Sequence, residues 1–162
     1  TAESDPLDFY IPITDAPKTG LVINELMASN QSAIQDPQQE YEDYVEIYNK
    51  GAKMIDLSGV YLSDNKTDPM KWKFPEGSRI TPNGYLVIWL DDDMNDQPGL
   101  HANFKLSKSG ETLMLVEKEN EKIRLLDAVK FGPQKTNQAY GRLPDGSNRL
   151  QGIQATPAKQ NK

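Results

Sequence analysis

The sequence predicts an all-β fold, an antiparallel β-sandwich, and two observations lead to this prediction. Short apolar segments, several of them alternating apolar with polar side chains, follow one another at short intervals and are separated by turn residues. No window of three helical turns keeps apolar residues at positions i, i+3, i+4 and i+7 without an intruding Gly or Pro. Many short strands without helices bury their apolar faces by packing one sheet against another.

The chain is expected to form one domain with loose ends. At 162 residues and 36% hydrophobic content it can bury one good core. Residues 1–19 are acidic and contain three prolines, which predicts an N-terminal tail or linker. The domain is assigned to residues 20–158, followed by a C-terminal tail at 159–162. The chain is polar from Gln154 onward, and this end is expected to fray.

The first strands are predicted on either side of a polar loop. Residues 21–27 form the first strand, residues 30–42 the loop, and residues 44–48 the next strand. Successive side chains of a strand point to opposite faces of the sheet. Val45 and Ile47 are therefore expected to face the core.

The other face of this second strand carries three residues, which are Tyr44, Glu46 and Tyr48. Tyr44 and Tyr48 are predicted to be surface candidates for ligand contact. Glu46 is predicted to point away from the core and to pair with a neighbouring basic side chain.

Later strands follow the same pattern. Residues 54–62 form a strand with a break at Ser58–Gly59, and residues 72–74 form a short strand that Pro75 ends. Residues 85–90 are apolar at every position, which predicts a central strand covered on both faces or a strand that runs under a loop. Further segments are expected to be a hairpin at 111–117 and 122–131, turning near Glu119–Asn120, and a closing turn at 143–146.

Composition excludes several classes of chemistry. The sequence has no cysteine, so disulfides, thiolate nucleophiles and zinc–cysteine sites are excluded. Its single histidine, His101, leaves few options for a catalytic triad. The formal net charge of -6 argues against nucleic acid as a partner, because phosphate backbones carry the same sign. No apolar run approaches the roughly 20 residues that span a bilayer, and no signal peptide is expected within the sequence.

An ordered set of segments resembles one known family. Residues 21–30 are similar to the opening strand of bacterial lamin-tail-like domains, and Trp72 and Phe74–Pro75 occupy the family's aromatic-proline position. The resemblance covers roughly residues 20–158. The other matching segments are 43–49, 55–64, 71–75, 84–89, 100–107, 109–111, 131–132 and 140–146.

The resemblance implies an immunoglobulin-like sandwich without catalytic residues. Bacterial members resemble modules of exported or cell-surface proteins, so the expected location is exported, cell-surface or periplasmic. Neighbouring domains of the precursor are expected partners, together with an unidentified protein or cell-surface partner. The chain has no heptad rod, so the filament role of the animal members is not transferred.

Two acidic segments are weighed as calcium sites. Asp91, Asp93 and Asn95 fall at the first three ligand positions of a calcium loop, but Asp96 stands where glycine is needed and Ala102 where a bidentate glutamate belongs. A solvated acidic turn is therefore the favoured interpretation, and calcium stays an alternative. The same weighting applies to a second acidic cluster, formed by Asp36, Glu40, Glu42 and Asp43.

No catalytic, cofactor-binding or metal-binding residue is predicted. Sequence spacing brings together no two of the carboxylates considered for glycoside hydrolysis, which are Glu25, Asp43, Glu46 and Asp64. His101 is interpreted as a partly buried loop anchor that hydrogen-bonds to backbone. Ser107 and Ser109 lack a nucleophile elbow. Trp89 is interpreted as a core residue.

These expectations favour a non-catalytic module that acts by surface recognition or as a spacer. The alternative is a calcium- or carbohydrate-binding β-sandwich module, which the acidic loops and the tyrosines favour.

Overall fold

The computed structural model describes residues 18–95 and 97–162, and these residues form strands and connecting loops without a helix. Most of the predicted N-terminal tail therefore lies outside the described residues. No helix that could cross a bilayer occurs in the described part of the chain. The strands are β1 (Leu21–Met27), β2 (Asp43–Asn49), β3 (Ile55–Asp56), β4 (Val60–Ser63), β5 (Trp72–Lys73), β6 (Arg79–Ile80), β7 (Tyr85–Leu90), β8 (Glu111–Glu119), β9 (Lys122–Phe131), β10 (Ala139–Arg142) and β11 (Leu150–Ile153).

Two antiparallel sheets form the layers of the sandwich. One sheet has the order β11-β10-β1-β2-β7 and the other the order β5-β4-β8-β9, while β3 and β6 make a separate pair. Apolar side chains from both sheets form the core between them, for example Ile23, Val45 and Ile88 from the first and Leu115 and Val129 from the second. Complete burial of such a side chain contributes about 1.5–3 kcal/mol, so this core accounts for much of the stability. The predicted fold class is confirmed.

Turn chemistry sets the strand boundaries. The break predicted at Ser58–Gly59 lies between β3 and β4, where Gly59 adopts a left-handed φ of +74°. The β8–β9 hairpin turns through Asn120 and Glu121 with φ of 48° and 65°, so both central residues are left-handed, as in a type I′ turn. β1 and β7 match their predicted ranges. The sequence did not predict β6, β10 and β11.

The all-apolar strand β7 lies at an edge of its sheet, so its interpretation as a central strand was wrong. Beyond β7, residues 100–102 run alongside it. The Trp89 amide donates to the Leu100 carbonyl and the Ala102 amide donates to the Trp89 carbonyl, each at 2.8 Å. The alternative prediction, a strand that runs under a loop, describes this arrangement. The loop also protects an edge that would otherwise be open to strand addition.

The outer face of the five-stranded sheet is covered as well. A second apolar cluster on this face contains Met27, Tyr44, Trp89, Ala139 and Ile153, with Ile34 and Ala155 packed against it. Residues 154–162, called here the C-terminal cover, lie over this face. Thr156 is 8% exposed and Asn161 is 4% exposed. The expectation that the chain frays from Gln154 was wrong, because these side chains are hydrogen-bonded to the sheet.

A partly buried ion pair joins the two sheets. Arg142 on β10 donates from Nη2 to both carboxylate oxygens of Asp127 on β9, at 3.1 and 2.9 Å. The same pair binds the backbone of Ile23, since Arg142 Nε donates to the Ile23 carbonyl (2.8 Å) and the Ile23 amide donates to Asp127 (2.7 Å). Arg142 thus uses one nitrogen for both carboxylate oxygens and its other two for backbone carbonyls, and charge-assisted hydrogen bonds of this kind fix distance and orientation. The sheets are therefore held in one register at this point.

Candidate functional site

Among the described residues, buried carboxylates lie close to other titratable groups at two places away from the ion pair between the sheets, and the first is a pair of glutamates. Glu25 on β1 and Glu46 on β2 are directly opposite each other in the antiparallel register. The register shifts between Ile23 and Glu25, so Asn24 is the additional residue of a β-bulge. Sequence spacing gave no sign that any two of the four candidate carboxylates lie close together, and the structure brings this pair side by side without a cleft. The bulge is a feature of pairing geometry that sequence spacing does not reveal.

Each carboxylate of the pair accepts hydrogen bonds from the C-terminal cover. Glu25 accepts from the Thr156 amide (2.9 Å), the Thr156 hydroxyl (2.8 Å) and the Tyr44 hydroxyl. Glu46 accepts from the Ala158 amide (2.5 Å) and the Asn24 side-chain amide (3.4 Å). Glu46 thus points away from the core as predicted, but the expected basic partner was wrong. Amide groups of the cover and the bulge take that place.

Burial changes the protonation of this pair. The pKa of Glu46 is raised to about 8, mainly by burial and also by the nearby Glu25 charge, while the hydrogen bonds from Ala158 and Asn24 oppose the change. Burial also raises the pKa of Glu25, with the bonds from Tyr44 and Thr156 opposing the change. Two like charges on adjacent strands are hard to ionise together. A proton is therefore retained in this pair near neutral pH.

The glutamate pair cannot reach a substrate in this structure. Glycoside hydrolysis needs two carboxyls that face a cleft, whereas Glu25 and Glu46 are each 0% exposed. The raised pKa values are typical of functional carboxyls, but burial beneath a cover produces the same shift. The geometry therefore supports a structural use of the pair, which is to bind the C-terminal cover to the sheet.

Asp145, in the turn between β10 and β11, extends the same network. It accepts hydrogen bonds from the Asn24 side chain (3.1 Å), the Asn161 amide (3.0 Å) and the Tyr85 hydroxyl. The Gly146 amide donates to Asn24 Oδ1 at 2.9 Å. This turn therefore links the bulge, the cover and β7. The sequence predicts the turn, but it does not predict these hydrogen bonds, because polar contacts between distant residues leave no periodic pattern.

The second cluster lies at one end of the sandwich, where two loops meet. β2 begins at Asp43 and β7 ends at Leu90, and these two residues are antiparallel partners. Residues 31–42 and 91–106 therefore lie at the same end of the sheet, called here the two-loop end. At this end Asp36, Asp91 and His101 each present a possible metal-ligand atom, and these atoms lie within 4.8 Å of one another.

Hydrogen bonds define the orientation of the three side chains. His101 Nδ1 lies 2.5 Å from Asp91 Oδ2, and His101 Nε2 lies 3.2 Å from the Pro98 carbonyl oxygen. Asp36 Oδ1 accepts from the amides of Gln38 (2.9 Å) and Glu40 (2.8 Å). Asp36 Oδ2 is buried and accepts no hydrogen bond within the described residues. The predicted contact of His101 with loop backbone is present, but His101 is buried rather than partly buried, and its other ring nitrogen contacts Asp91.

The acidic segment after β7 was expected to be a solvated turn, and this is true of only part of it. Asp93 and Asn95 are exposed, and the Asn95 amide donates to Asp93 at 3.0 Å. Asp91 is 9% exposed and bound to His101, so its interpretation as solvated was wrong. Asp96 lies outside the described residues, and Ala102 is buried beside β7. Asp91 therefore faces inward, whereas Asp93 and Asn95 face solvent.

Other candidate carboxylates have separate structural partners. Asp43 accepts from the Leu106 amide (3.1 Å), and burial raises its pKa to about 6. Glu42 lies 3.7 Å from Lys105, and Asp64 lies 2.8 Å from Lys71. Glu40 is exposed. Burial, and after it the nearby charges of Asp91 and Asp36, raise the pKa of Glu42, but Glu42 is not one of the three grouped ligand residues.

The aromatic candidates divide between core and surface. Trp89 is 7% exposed, which confirms it as a core residue. The prediction that Tyr44 is a surface candidate was wrong, because Tyr44 is 0% exposed beneath the C-terminal cover. Tyr48 is partly exposed, and its ring lies 5.1 Å from that of Tyr85. Ser107 and Ser109 hydrogen-bond to each other at 2.8 Å.

Comparison with known proteins identifies a family. The family model described as Lamin Tail Domain matches residues 14–132, which is most of the chain. No curated protein matches the chain. The matched range includes both loops of the two-loop end, while β10, β11 and the C-terminal cover lie beyond it.

Proposed function

The chain belongs to the lamin tail domain family, and from this premise we propose a non-catalytic binding or structural module of an exported or cell-surface protein. The observation that carries the proposal is the complete burial of Glu25 and Glu46 under the C-terminal cover. The two carboxylates closest to a hydrolytic pair are therefore proposed to stabilise the fold, because they bind the C-terminal cover. The exported location and the neighbouring domains of the precursor rest on the family resemblance.

The two-loop end is the proposed recognition surface. Loops at the end of a rigid sandwich commonly carry binding residues. Large apolar side chains are exposed here, with Tyr41 at 42% and Met94 at 57%. The loops are held together by a hydrogen bond from Gln38 Nε2 to the Pro98 carbonyl (3.0 Å). A preorganised surface with exposed apolar anchors loses little conformational entropy on binding a protein partner.

A photocrosslinking experiment tests this surface against a matched control. Met54 is 56% exposed, nearly the same as Met94, but it lies in the loop that connects β2 to β3, at the opposite end of β2. A benzophenone amino acid at position 94 of the full-length protein, irradiated on the producing cells, is expected to give a discrete crosslinked species that position 54 does not give. Equal crosslinking from both positions would contradict recognition through the two-loop end.

Catalysis is tested separately. The purified chain is expected to leave broad esterase and glycosidase substrates unhydrolysed. Turnover above the rate in buffer that disappears in both Glu25→Gln and Glu46→Gln would contradict the non-catalytic assignment, because it would require an access route to the buried pair.

The carbohydrate-binding alternative has one observation in its favour. Tyr48 and Tyr85 form a tilted pair of partly exposed rings on neighbouring strands, and aromatic faces provide apolar platforms for ligands. A glycan array distinguishes the alternatives. Binding that is lost in Tyr48→Ala would favour the carbohydrate module over protein recognition.

A further inference from the structure

We propose that Asp36, Asp91 and His101 bind a divalent transition-metal ion of the zinc class, which joins the two loops of the two-loop end. The inference goes beyond the proposed recognition role and does not depend on it. It rests on the donor set, on the orientation of the histidine and on the unsatisfied oxygen of Asp36.

The donor set favours a borderline metal ion over calcium. The site offers one imidazole and two carboxylates, all of them at most 9% exposed. Calcium takes six to eight oxygen ligands, whereas zinc accepts imidazole and carboxylate and is often held by three protein ligands with one open position. Imidazole with carboxylate also suits other first-row divalent ions. The buried trio therefore matches zinc-class coordination.

His101 is oriented in the way that metal-ligating histidines are oriented. Its Nδ1 faces Asp91 Oδ2, while Nε2 lies 3.2 Å from the Pro98 carbonyl. Ligating histidines almost always donate their second ring N–H to a carboxylate or a backbone carbonyl. The Pro98 contact thus provides the support that a ligating Nδ1 requires.

The second carboxylate supplies the independent observation. Asp36 is 5% exposed, its Oδ1 binds two backbone amides, and its Oδ2 has no hydrogen-bond partner among the described residues. A buried carboxylate oxygen without a hydrogen-bond partner destabilises the folded state, and more so when the group is charged. A carboxylate oxygen of Asp36 lies within 4.8 Å of the donor atoms of Asp91 and His101, so a cation bound among the three would satisfy the Asp36 carboxylate.

The geometry needs only small adjustments. Zinc–ligand bonds of about 2.0–2.2 Å place tetrahedral ligand atoms roughly 3.3 Å apart. Asp91 and His101 must separate by about 1 Å from their 2.5 Å contact, and the Asp36 oxygen, within 4.8 Å of them, must approach by at most about 1.5 Å. Pro37, Pro98 and Gly99 next to the site are exposed, so the ion has a short path from solvent.

The test compares the full chain with two variants that each lose one negative charge, and all three proteins are first treated with a chelator. Asp36→Asn can keep the Oδ1 acceptor for the Gln38 and Glu40 amides and removes only the proposed ligand oxygen. Asp92→Asn is the matched control, because Asp92 is an exposed neighbour of Asp91 outside the cluster, with a φ of 62° that asparagine tolerates. Titration calorimetry and thermal melts are recorded with zinc chloride and with calcium chloride.

We expect one zinc ion per chain and a Tm increase of about 5–10 °C at a hundredfold excess over Kd. Asp92→Asn should behave as the wild type does, while Asp36→Asn should weaken zinc binding at least tenfold without lowering the Tm of the metal-free protein. The chain has a single histidine, so its one imidazole NMR signal should shift on zinc addition. Absence of zinc binding, equal loss in both variants, an unshifted imidazole or a stronger calcium effect would each overturn the proposal.

Discussion

At the scale of single residues, alternation along a strand predicts direction but not burial. Glu46 does point away from Val45 and Ile47, yet it is as inaccessible as they are. The reason is the C-terminal cover, whose Thr156 and Ala158 amides provide donors for the carboxylates beneath it. A period-2 pattern distinguishes the two faces of a strand, but it cannot tell whether a distant segment packs on the polar one.

Glu46→Gln is expected to stabilise the protein at pH 8 and to change little at pH 5. The pKa of Glu46 is raised by burial from 4.5 to about 8. The folded state therefore holds this proton more tightly than the unfolded chain does. The corresponding stability is complete below pH 4.5 and is lost as the pH rises through about 8. Glutamine stays neutral, so the gain at pH 8 should be roughly 2–4 kcal/mol.

Urea unfolding at both pH values measures this difference. Glu76→Gln is the control, because that carboxylate is 72% exposed in a surface ion pair and should change stability by less than about 0.5 kcal/mol. If Glu46→Gln changed the free energy of unfolding equally at pH 5 and pH 8, the pKa of Glu46 in the folded state would not be raised.

At the scale of elements, strands with a strong local signal were predicted and weakly marked ones were not. β1 and β7 are six or seven apolar-rich residues bounded by turn residues, and both appear as expected. β6 has only two residues, while β10 contains Gly141 and Arg142 and lacks alternation. Their conformation comes from long-range pairing, which local propensity does not encode.

The candidate metal cluster shows the same limit. Asp36, Asp91 and His101 were each singled out in the sequence, but for separate reasons. Sequence separation gave no ground to combine them, because the Asp43–Leu90 register that brings their loops together belongs to the sheet. The residue types could be predicted from the sequence, whereas their association could not.

Glu121→Gly is expected to stabilise the β8–β9 hairpin by about 0.5–1 kcal/mol. Glu121 has a φ of 65°, a conformation that costs an L side chain energy and costs glycine little. Its ion pair with Lys118 is 3.5 Å long, and the Glu121 side chain is 91% exposed, so losing the pair matters little. Lys122→Gly, in β9, should instead destabilise by a similar amount. Thermal unfolding measures the Tm of both variants, and a shift of both Tm values in the same direction would contradict the prediction.

Asn161→Ala is expected to loosen the C-terminal cover. The Asn161 side-chain amide donates to the carbonyls of Arg142 (2.7 Å) and Asn24 (3.2 Å), and Asn161 is buried. Leaving buried acceptors unsatisfied costs about 1–3 kcal/mol. Hydrogen exchange at the Thr156 amide should therefore accelerate by at least about tenfold, while exchange in β8 stays unchanged. Gln160→Ala, at an exposed neighbour, should leave the Thr156 amide protected, and equal acceleration in both variants would argue against a specific role for Asn161.

At the scale of the whole molecule, the sandwich is more than two apolar layers. The core holds the sheets face to face, the C-terminal cover closes the outer face of one sheet, and polar groups determine the register of both contacts. Apolar packing is non-directional, whereas buried hydrogen bonds and ion pairs have fixed geometry. The buried polar residues, rather than the apolar ones, therefore fix how these parts fit together.

Arg142→Lys is expected to destabilise the whole domain by about 2–4 kcal/mol. The Arg142 side chain is 7% exposed and donates to Asp127, the Ile23 carbonyl and the Ser147 carbonyl (2.7 Å). An ammonium group cannot donate from one place to all three. Arg124→Lys is the matched control, because Arg124 pairs with Glu119, which is 50% exposed, and there the loss should stay below about 0.5 kcal/mol. Similar losses in the two variants, measured by urea unfolding, would mean that the ion pair between the sheets adds no more than a surface pair does.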